Sequence, residues 1–156
     1  MIKVKPAKEI LLIGTSDTNP RNGEGSFIRL NNGDIVFGYT EFSGNDSCND
    51  DAHARIVAIT STDGGNTWSE KRVLFTKPDG SQTIMSLSFL RMGNGDVGAF
   101  YILKHADGAD SIMLTRSADE CQSWSEPIDC TACMPYDYYI LNNDRPYILP
   151  SGRISS

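Results

Sequence analysis

Short apolar stretches, separated by polar turns, run along most of the chain and predict an all-β fold. The first two stretches, residues 26–30 and 35–39, are joined by Asn-Gly-Asp at 32–34, and Asn and Gly accept the positive φ of a tight hairpin turn. Two more stretches, 54–60 and 71–75, complete a predicted set of four strands. Sustained apolar repeats with a period of 3.6 residues, which would predict amphipathic helices, do not occur in the sequence.

The same set of stretches and turns recurs further along the chain. The Gly33 turn has counterparts at Gly95 and Gly152, which follow at intervals of 62 and 57 residues. A second marker, in which Ser, Asp and Trp keep a fixed spacing, occurs at residues 61–68 and again 56 residues later at 117–124. Two markers with nearly the same period indicate an internal repeat. Four short strands per repeat are typical of the blades of a β-propeller.

The repeat predicts about three blades of four antiparallel strands each, from a propeller expected to have about six. Blade 1 is placed at about residues 22–76, blade 2 at about 83–130 and the start of blade 3 at about 139–156. Because a propeller needs about four to eight blades to close, we expect the chain to be part of a longer protein, or to complete a ring by oligomerising. Unpaired blade edges would favour self-association. The apolar residues 9–13 could add an outer strand.

Composition and charge exclude several classes of function. The net charge is −6 and the pI about 4.8, without a cluster of Lys and Arg, so we expect no nucleic-acid partner. The apolar runs are too short to span a bilayer, so we expect no membrane partner. The first residues lack the continuous apolar stretch of a signal peptide, which predicts a cytoplasmic protein, or a secreted one if a leader has been removed.

The four cysteines include one Cys-x-x-Cys pair, formed by Cys130 and Cys133. A zinc site would need a second pair or nearby histidines, and the two histidines, His53 and His105, are distant in sequence. A redox pair would be expected at a strand-to-helix junction. We therefore predict ordinary thiols, with no metal and no cofactor.

The marker at residues 61–68 reads Ser-x-Asp-x-Gly-x-Thr-Trp and matches the Asp box at every defined position. The copy at 117–124 keeps Ser, Asp and Trp but has Cys121 for Gly and Ser123 for Thr. Together with the blade pattern, these boxes make the chain resemble the sialidase superfamily over about residues 22–153, in particular bacterial exo-α-sialidase-like proteins with BNR repeats. The resemblance implies a propeller whose Asp boxes lie at the periphery and have a structural role.

The resemblance also implies a site on the propeller axis, where the innermost strands begin and the first-to-second hairpin loops gather. A sialidase binds the substrate carboxylate there with arginines, and uses an Asp acid/base and a Tyr–Glu nucleophile pair from later blades. Residues 24–26 stand at the expected place of the first arginine, with Arg21 and Arg29 near but outside it, and residues 39–42 contain no second arginine. These departures argue against recognition of a sialic acid carboxylate.

The acid/base aspartate is expected in the loop before the third strand. Counting back about eleven residues from Ser61 reaches Asp50, with Asp51 beside it, so these two are the predicted catalytic residues. The alternative is a solvated acidic loop, because Asp and Asn are common in turns.

Three residues are predicted to bind the substrate. Arg145, preceded by Asp144, begins the inner strand of the third blade, where an arginine could point to the axis; a surface arginine in a turn is the alternative. Glu24 occupies the equivalent place in the first blade, and Met85 or Ser86 in the second. A lining of Glu, Asp and Arg would suit a polar sugar that need not be anionic.

The leading prediction is the N-terminal part of a sialidase-superfamily glycoside hydrolase, exo-α-sialidase-like, which cleaves a terminal sugar from glycans. The alternative is a non-catalytic propeller that binds carbohydrate or protein. The missing arginines favour binding, whereas the predicted positions of Asp50 and Arg145 favour hydrolysis. The expected partner is a glycan or small sugar, and the 156 residues alone are expected to be inactive.

Overall fold

The computed structural model describes residues 9–44, 49–142 and 144–155. Strands account for all the regular secondary structure in these ranges, and no helix there is long and apolar enough to cross a membrane. The strands are β1 (Arg21–Arg29), β2 (Ile35–Phe42), β3 (Ala54–Ser61), β4 (Arg72–Thr76), β5 (Ser81–Arg91), β6 (Val97–His105), β7 (Asp110–Ser117), β8 (Ile128–Asp129), β9 (Tyr147–Ile148) and β10 (Ile154–Ser155).

These strands form three antiparallel sheets. Strands β1–β4 make the first sheet and β5–β8 the second, each in chain order. Strands β9 and β10 pair as a short third sheet. The all-β fold and the repeat of four antiparallel strands predicted from the sequence are confirmed.

The three predicted hairpin turns all form. The amides of Gly33, Gly95 and Gly152 donate to the carbonyls three residues earlier, at 3.0, 3.0 and 2.8 Å. All three glycines have a positive φ, between 83° and 96°, which a residue with a side chain adopts only under strain. The fixed turns set the register of β1 with β2, of β5 with β6 and of β9 with β10.

The first strand of each four-stranded sheet begins earlier than the sequence predicts. Strand β1 begins at Arg21 and not at residue 26, and its pairing with β2 is interrupted by a bulge between Asn22 and Gly25. Strand β5 begins at Ser81, with a bulge between Met85 and Ser88. A bulge adds an unpaired residue and bends the strand, which breaks the apolar alternation on which the prediction depends.

The prediction of an outer strand at residues 9–13 is wrong. These residues carry no strand, and a small turn between Ser16 and Asn19 separates them from β1. Ile10 packs instead over an aromatic surface on the first sheet, which we call the outer aromatic surface and which consists of Phe27, Phe37 and Trp68. Residues 9–13 therefore contact the first sheet through a side chain on its face and do not pair with the backbone at its edge.

The first and second sheets pack face to face, with β5 lying against β1, β2 and β3. Their shared core alternates along each strand, as expected where one face of a sheet is buried. It contains Ile28, Val36, Ile56 and Ala58 from the first sheet, and Ile84, Leu87, Phe89, Val97, Ala99, Tyr101, Leu103 and Met113 from the second. The other face of the second sheet buries Phe100 and Ile102 against Leu141 and Ile154, which belong to the segment leading into and forming the third sheet.

The two sheets approach each other closely at Gly38. A Cβ atom at this position of β2 would stand 2.3 Å from Leu87 Cδ2 and 2.9 Å from Phe89 Cε2. Nearby, the Ser26 hydroxyl accepts a 2.8 Å hydrogen bond from the Phe89 amide and donates to the Asp144 carboxylate. One buried serine thereby ties β1 to β5 and to the segment before β9.

The two repeated turns share one hydrogen-bond pattern. In the first, the Thr67 amide, the Thr67 hydroxyl and the Ser61 hydroxyl all donate to the Asp63 carboxylate, which lowers the pKa of Asp63 to about 2. In the second, the Ser123 hydroxyl and amide and the Ser117 hydroxyl do the same for Asp119, whose pKa is also about 2. Both carboxylates are engaged in holding the turn.

The second turn departs from the first where Cys121 replaces a glycine. Gly64 and Gly65 have φ values of 72° and 93°, and Glu120 and Cys121 adopt nearly the same left-handed conformation at 59° and 67°. Cys121 is fully buried in the shared core, and its burial raises the pKa of the thiol to about 11. The repeated hydrogen bonds therefore outweigh the backbone strain of two non-glycine residues.

We predict that the tryptophans of the two turns differ in their contribution to stability. Trp124 stands between the sheets, with ring centroids 5.2 Å from Phe75 and 6.2 Å from Phe89, whereas Trp68 lies on the outer aromatic surface, 6.2 Å from Phe27. Trp124→Ala should lower the free energy of unfolding by about 3 kcal/mol, and Trp68→Ala by clearly less. Urea unfolding of both variants measures the difference, and equal losses would contradict this packing.

We also predict that Gly38→Ala is destabilising. The added methyl group overlaps Leu87 and Phe89, and overpacking of this kind costs about 1–3 kcal/mol. Gly98→Ala on β6 is the matched control, because the atoms nearest its added Cβ lie 3.3 Å away, compared with 2.3 Å at Gly38. The same unfolding measurement should give a smaller loss for Gly98→Ala; the reverse order would contradict the close approach at Gly38.

Candidate active site

A cleft of about 700 Å³ opens where β1 and β5 begin. The predicted hairpin loops do not gather there, because the turns at residues 30–34 and 92–96 lie at the opposite ends of these strands. The remaining walls are formed by the end of β2, the loop before β3, the end of β6, the start of β7 and the segment before β9. The cleft is lined by Arg21, Asn22, Gly23, Glu24, Thr40, Phe42, Asp50, Met85, Ser86, Ile102, Lys104, Asp110, Tyr138, Ile140, Leu141 and Asn142.

The two bulges shape this cleft. Gly23 lies inside the β1 bulge, and a Cβ there would come within 3.0 Å of the Phe42 ring, so a larger residue would press on the wall. Ser86 lies inside the β5 bulge, is buried and has a φ of 59°, a conformation that is strained for a residue other than glycine. Bulges of this kind turn side chains that would otherwise follow the strand's alternation.

Arg21 is the first residue of β1, because the strand begins earlier than residue 26, where the apolar pattern predicts its start. Glu24, the residue predicted at the expected place of the first arginine, lies three positions further along β1. In the structure the Arg21 guanidinium lies 3.6 Å from the centroid of the Phe42 ring and donates to Asp50 Oδ1 at 2.9 Å. It also donates to the Asn49 carbonyl at 3.3 Å.

Asp51 connects the same loop to the second sheet. Its carboxylate accepts from Lys104 Nζ at 2.5 Å, and its carbonyl accepts from Gln82 Nε2 at 2.7 Å. Burial lowers the pKa of Lys104, but the hydrogen bond and charge of Asp51 outweigh burial and leave that pKa raised. The loop that carries both predicted catalytic residues is thus attached to the first sheet through Arg21 and to the second through Lys104 and Gln82.

Asp110, which the sequence analysis did not single out, is the most buried acid of the cleft. It is only 2% exposed, and no group in the described part of the chain donates a hydrogen bond to its Oδ1. Burial raises the pKa of Asp110, and the charges of Lys104 and His105 offset this only in part. A sequence signal did exist: the 56-residue repeat aligns Asp110 with Ala54, which begins β3 as Asp110 begins β7.

The predicted substrate-binding residues are divided by the structure. Glu24 lines the cleft, as do Met85 and Ser86 of the second sheet. Arg145 is exposed and outside the lining, because β9 begins only at Tyr147.

Asp144 also lies outside the lining, and its bonds connect the sheets. Its amide donates to Ser88 Oγ at 2.9 Å, and its carboxylate accepts from Ser26. The structure therefore places neither Arg145 nor Asp144 in the lining of this cleft, and their role in substrate binding stays a prediction.

The described lining of the cleft supplies carboxyl groups but no cluster of metal ligands. No group of three or more His, Cys, Asp or Glu side chains is close enough to hold a metal ion in the part of the chain that the structure describes. Cys121, Cys130 and Cys133 are free thiols, and Cys48 lies outside the described residues. Exposed Asp50 and buried Asp110 place two carboxyl groups of contrasting environment in one cleft, an arrangement that favours acid/base chemistry.

Comparison with known proteins finds similarity at the level of the fold. No family model and no curated protein matches the chain. A solved structure of a Hadza microbial sialidase, Hz136, is 21% identical with a TM-score of 0.62, and covers 74% of this chain and 27% of that one. A protein of unknown function from Dyadobacter fermentans DSM 18053 is 19% identical with a TM-score of 0.67, and covers 92% of this chain and 48% of that one. The fold is thus sialidase-like, and the chain spans less than half of either structure.

We predict that Asp110→Asn stabilises the protein at neutral pH. Because the pKa of Asp110 is raised by folding, its ionisation opposes folding as the pH rises above the ordinary aspartate value of about 4. The neutral amide removes that cost. The melting temperature should therefore be equal to or above that of the wild type at pH 7, and the difference should shrink at pH 3.

Asp129→Asn is the matched control for this prediction. Burial by itself would raise the pKa of Asp129. Hydrogen bonds from Thr131 and Ser111 to its carboxylate outweigh burial, so the pKa of Asp129 is lowered. This variant should lose about 1 kcal/mol at pH 7. A larger loss of stability in Asp110→Asn than in Asp129→Asn would mean that the carboxyl of Asp110 has a partner.

Proposed function

We propose that the chain is part of a sialidase-like β-propeller and that its cleft belongs to a glycoside hydrolase that removes a terminal sugar from glycans. Support for the propeller comes from the repeat of four-stranded sheets packed face to face, and from the fold similarity to a sialidase. In this proposal the first, second and third sheets are successive blades, with β1 and β5 nearest the axis. The repeated turns at residues 61–68 and 117–124 are then Asp boxes.

The cleft at the start of β1 and β5 is the observation that carries the proposal. Its volume of about 700 Å³ falls within the range of about 300–1,000 Å³ that is usual for small-molecule sites. Its lining contains both polar residues, among them Asn22, Ser86 and Asn142, and apolar ones, among them Phe42 and Leu141. Sugars present a polar rim of hydroxyls and apolar C–H faces, and so suit a wall of this mixed kind.

Asp50 is the proposed acid/base, and Asp51 supports it from the same loop. Asp50 donates a proton to the glycosidic oxygen as the bond between that oxygen and the anomeric carbon breaks. It then takes a proton from the water whose oxygen adds to the anomeric carbon, so that one water is consumed per bond cleaved. The resemblance assigns the nucleophile to sheets that follow the third, and hydrolysis is therefore proposed for a protein that includes them.

A non-catalytic carbohydrate-binding propeller is the second candidate. Both cations that line the cleft in the described part of the chain, Arg21 and Lys104, already have carboxylate partners. Tyr138, 60% exposed on the wall, offers a ring on which a sugar could stack. Binding without hydrolysis would use these same features and leave Asp50 as a partner of Arg21 alone.

Hydrolysis of a panel of fluorogenic α-sialosides and neutral glycosides by the intact protein tests this proposal. We predict release of fluorophore by the wild type and a loss of about 100-fold or more in kcat for Asp50→Asn, since general acid/base groups contribute about that much. Asp34→Asn, at an exposed hairpin turn at the opposite end of the sheet, is the control and should retain wild-type rates.

The outcomes separate the two candidates. Wild-type turnover in Asp50→Asn would remove Asp50 from the acid/base role. Binding of glycosides without any release of fluorophore would favour the non-catalytic propeller.

A further inference from the structure

Asp110 is a buried acid whose Oδ1 atom has no hydrogen-bond donor among the described residues. Its side chain lines the cleft at the start of β7. Burying a carboxyl oxygen without a hydrogen bond is unfavourable, so most such groups in proteins are paired. The neighbouring Asp129, by contrast, receives hydrogen bonds from Ser111 and Thr131.

Neither cation in the described lining of the cleft serves as a partner for Asp110. Lys104 lies opposite Asp110 in the β6–β7 register, but its ammonium group pairs with Asp51 at 2.5 Å. Arg21 pairs with Asp50 and lies over Phe42. A hydroxyl group of a ligand in the cleft would supply the donor that the described residues lack.

The charges of the cleft indicate what kind of ligand this is. Arg21 and Lys104 are its cations among the described lining residues, and Glu24, Asp50 and Asp110 are its acids, with Asp51 just behind Lys104. Each cation already faces one carboxylate, and acids outnumber cations among these residues, so an anionic ligand meets net electrostatic repulsion. An uncharged ligand with hydroxyl donors meets no such barrier.

We propose that Asp110 accepts a hydrogen bond from a hydroxyl group of an uncharged sugar bound in the cleft, and so makes the site specific for neutral sugars over sialic acid. The inference rests on the proposed function, because it takes a sugar to be the ligand. The contact is selective because the acceptor is buried. A sugar without that hydroxyl leaves the carboxyl group without a hydrogen bond, so nothing offsets the free-energy cost of burying the carboxyl group.

Isothermal titration of the intact protein with methyl glycosides of galactose, glucose, mannose and N-acetylglucosamine, and with the methyl α-glycoside of N-acetylneuraminic acid, tests the inference. We expect one neutral glycoside to bind more tightly than the sialoside. Asp110→Leu should weaken that binding about 10- to 100-fold, the loss expected for one hydrogen bond to a charged acceptor.

Two further variants keep the test informative. Asp110→Asn retains an acceptor oxygen in the same place and should bind more tightly than Asp110→Leu, and it remains usable should the leucine variant fail to fold. Asp107→Asn is the matched control, since Asp107 lies outside the cleft and accepts from the Tyr136 hydroxyl and the Ala109 amide, and it should bind like the wild type.

Deoxy analogues of the bound glycoside identify the contact. The analogue lacking the critical hydroxyl should bind the wild type about 10- to 100-fold more weakly, but should lose little further affinity in Asp110→Leu, because the same hydrogen bond is removed in both. Equal affinity of wild type, Asp110→Asn and Asp110→Leu for a neutral glycoside would overturn the inference, and so would tighter binding of the sialoside; both results leave the proposed function standing. Binding of none of the five glycosides would overturn the proposed function and the inference with it.

Discussion

The close approach of the first and second sheets at Gly38 is the constraint on which the rest of the structure depends. Without a side chain at this position, Leu87 and Phe89 can enter the space above β2 and complete the shared core. The same approach brings the Phe89 amide to the Ser26 hydroxyl, 2.8 Å away. Since both contacts involve β5, they fix this strand beside β1.

The cleft follows from that placement. Strands β1 and β5 begin side by side, and the bulge near each beginning leaves Gly23 and Ser86 facing a common space. The loop before β3 then closes one wall, because Asp50 and Asp51 pair with cations from different sheets. A site built in this way depends on the packing of two sheets and not on any one of them.

The aspartates of the repeated turns and the buried aspartate of the cleft differ in how their charged forms are stabilised. Asp63 and Asp119 are exposed, yet hydrogen bonds from their own turns hold them ionised down to a pH of about 2, so they serve the fold. Asp110 is buried, its Oδ1 has no such donor in the part of the chain that the structure describes, and its pKa is raised because burial disfavours the charged form. Shifts in pKa of this kind are more common at functional sites than elsewhere.

The sequence predicts those parts of the fold that local patterns determine. Hairpin turns at Gly33, Gly95 and Gly152 depend on residues that accept a positive φ, and apolar alternation marks most strands. Bulges leave no such pattern, so the starts of β1 and β5 were missed, and with the former the position of Arg21.

Contacts that span the repeats were also beyond sequence reasoning. Asp50 and Asp51 could be placed in the correct loop by spacing from Ser61, but their cations could not be named, because Arg21 and Lys104 lie 29 and 53 residues away along the chain. The sequence predicts that the inner strand of the third blade begins at Arg145, directly after Asp144. In the structure that strand, β9, begins only at Tyr147. Asp110 is charged at the start of an apolar strand, where only the alignment of the repeats would have drawn attention to it.

A crystal structure of the intact protein with the tightest-binding methyl glycoside would test the central claim most directly, namely that the cleft between β1 and β5 is a sugar site. We predict density for one pyranose ring among Arg21, Ser86 and Tyr138, with one hydroxyl within hydrogen-bonding distance of Asp110 and the glycosidic oxygen directed to Asp50. A glycoside ordered elsewhere, for example on the outer aromatic surface, with the cleft free of sugar, would contradict it.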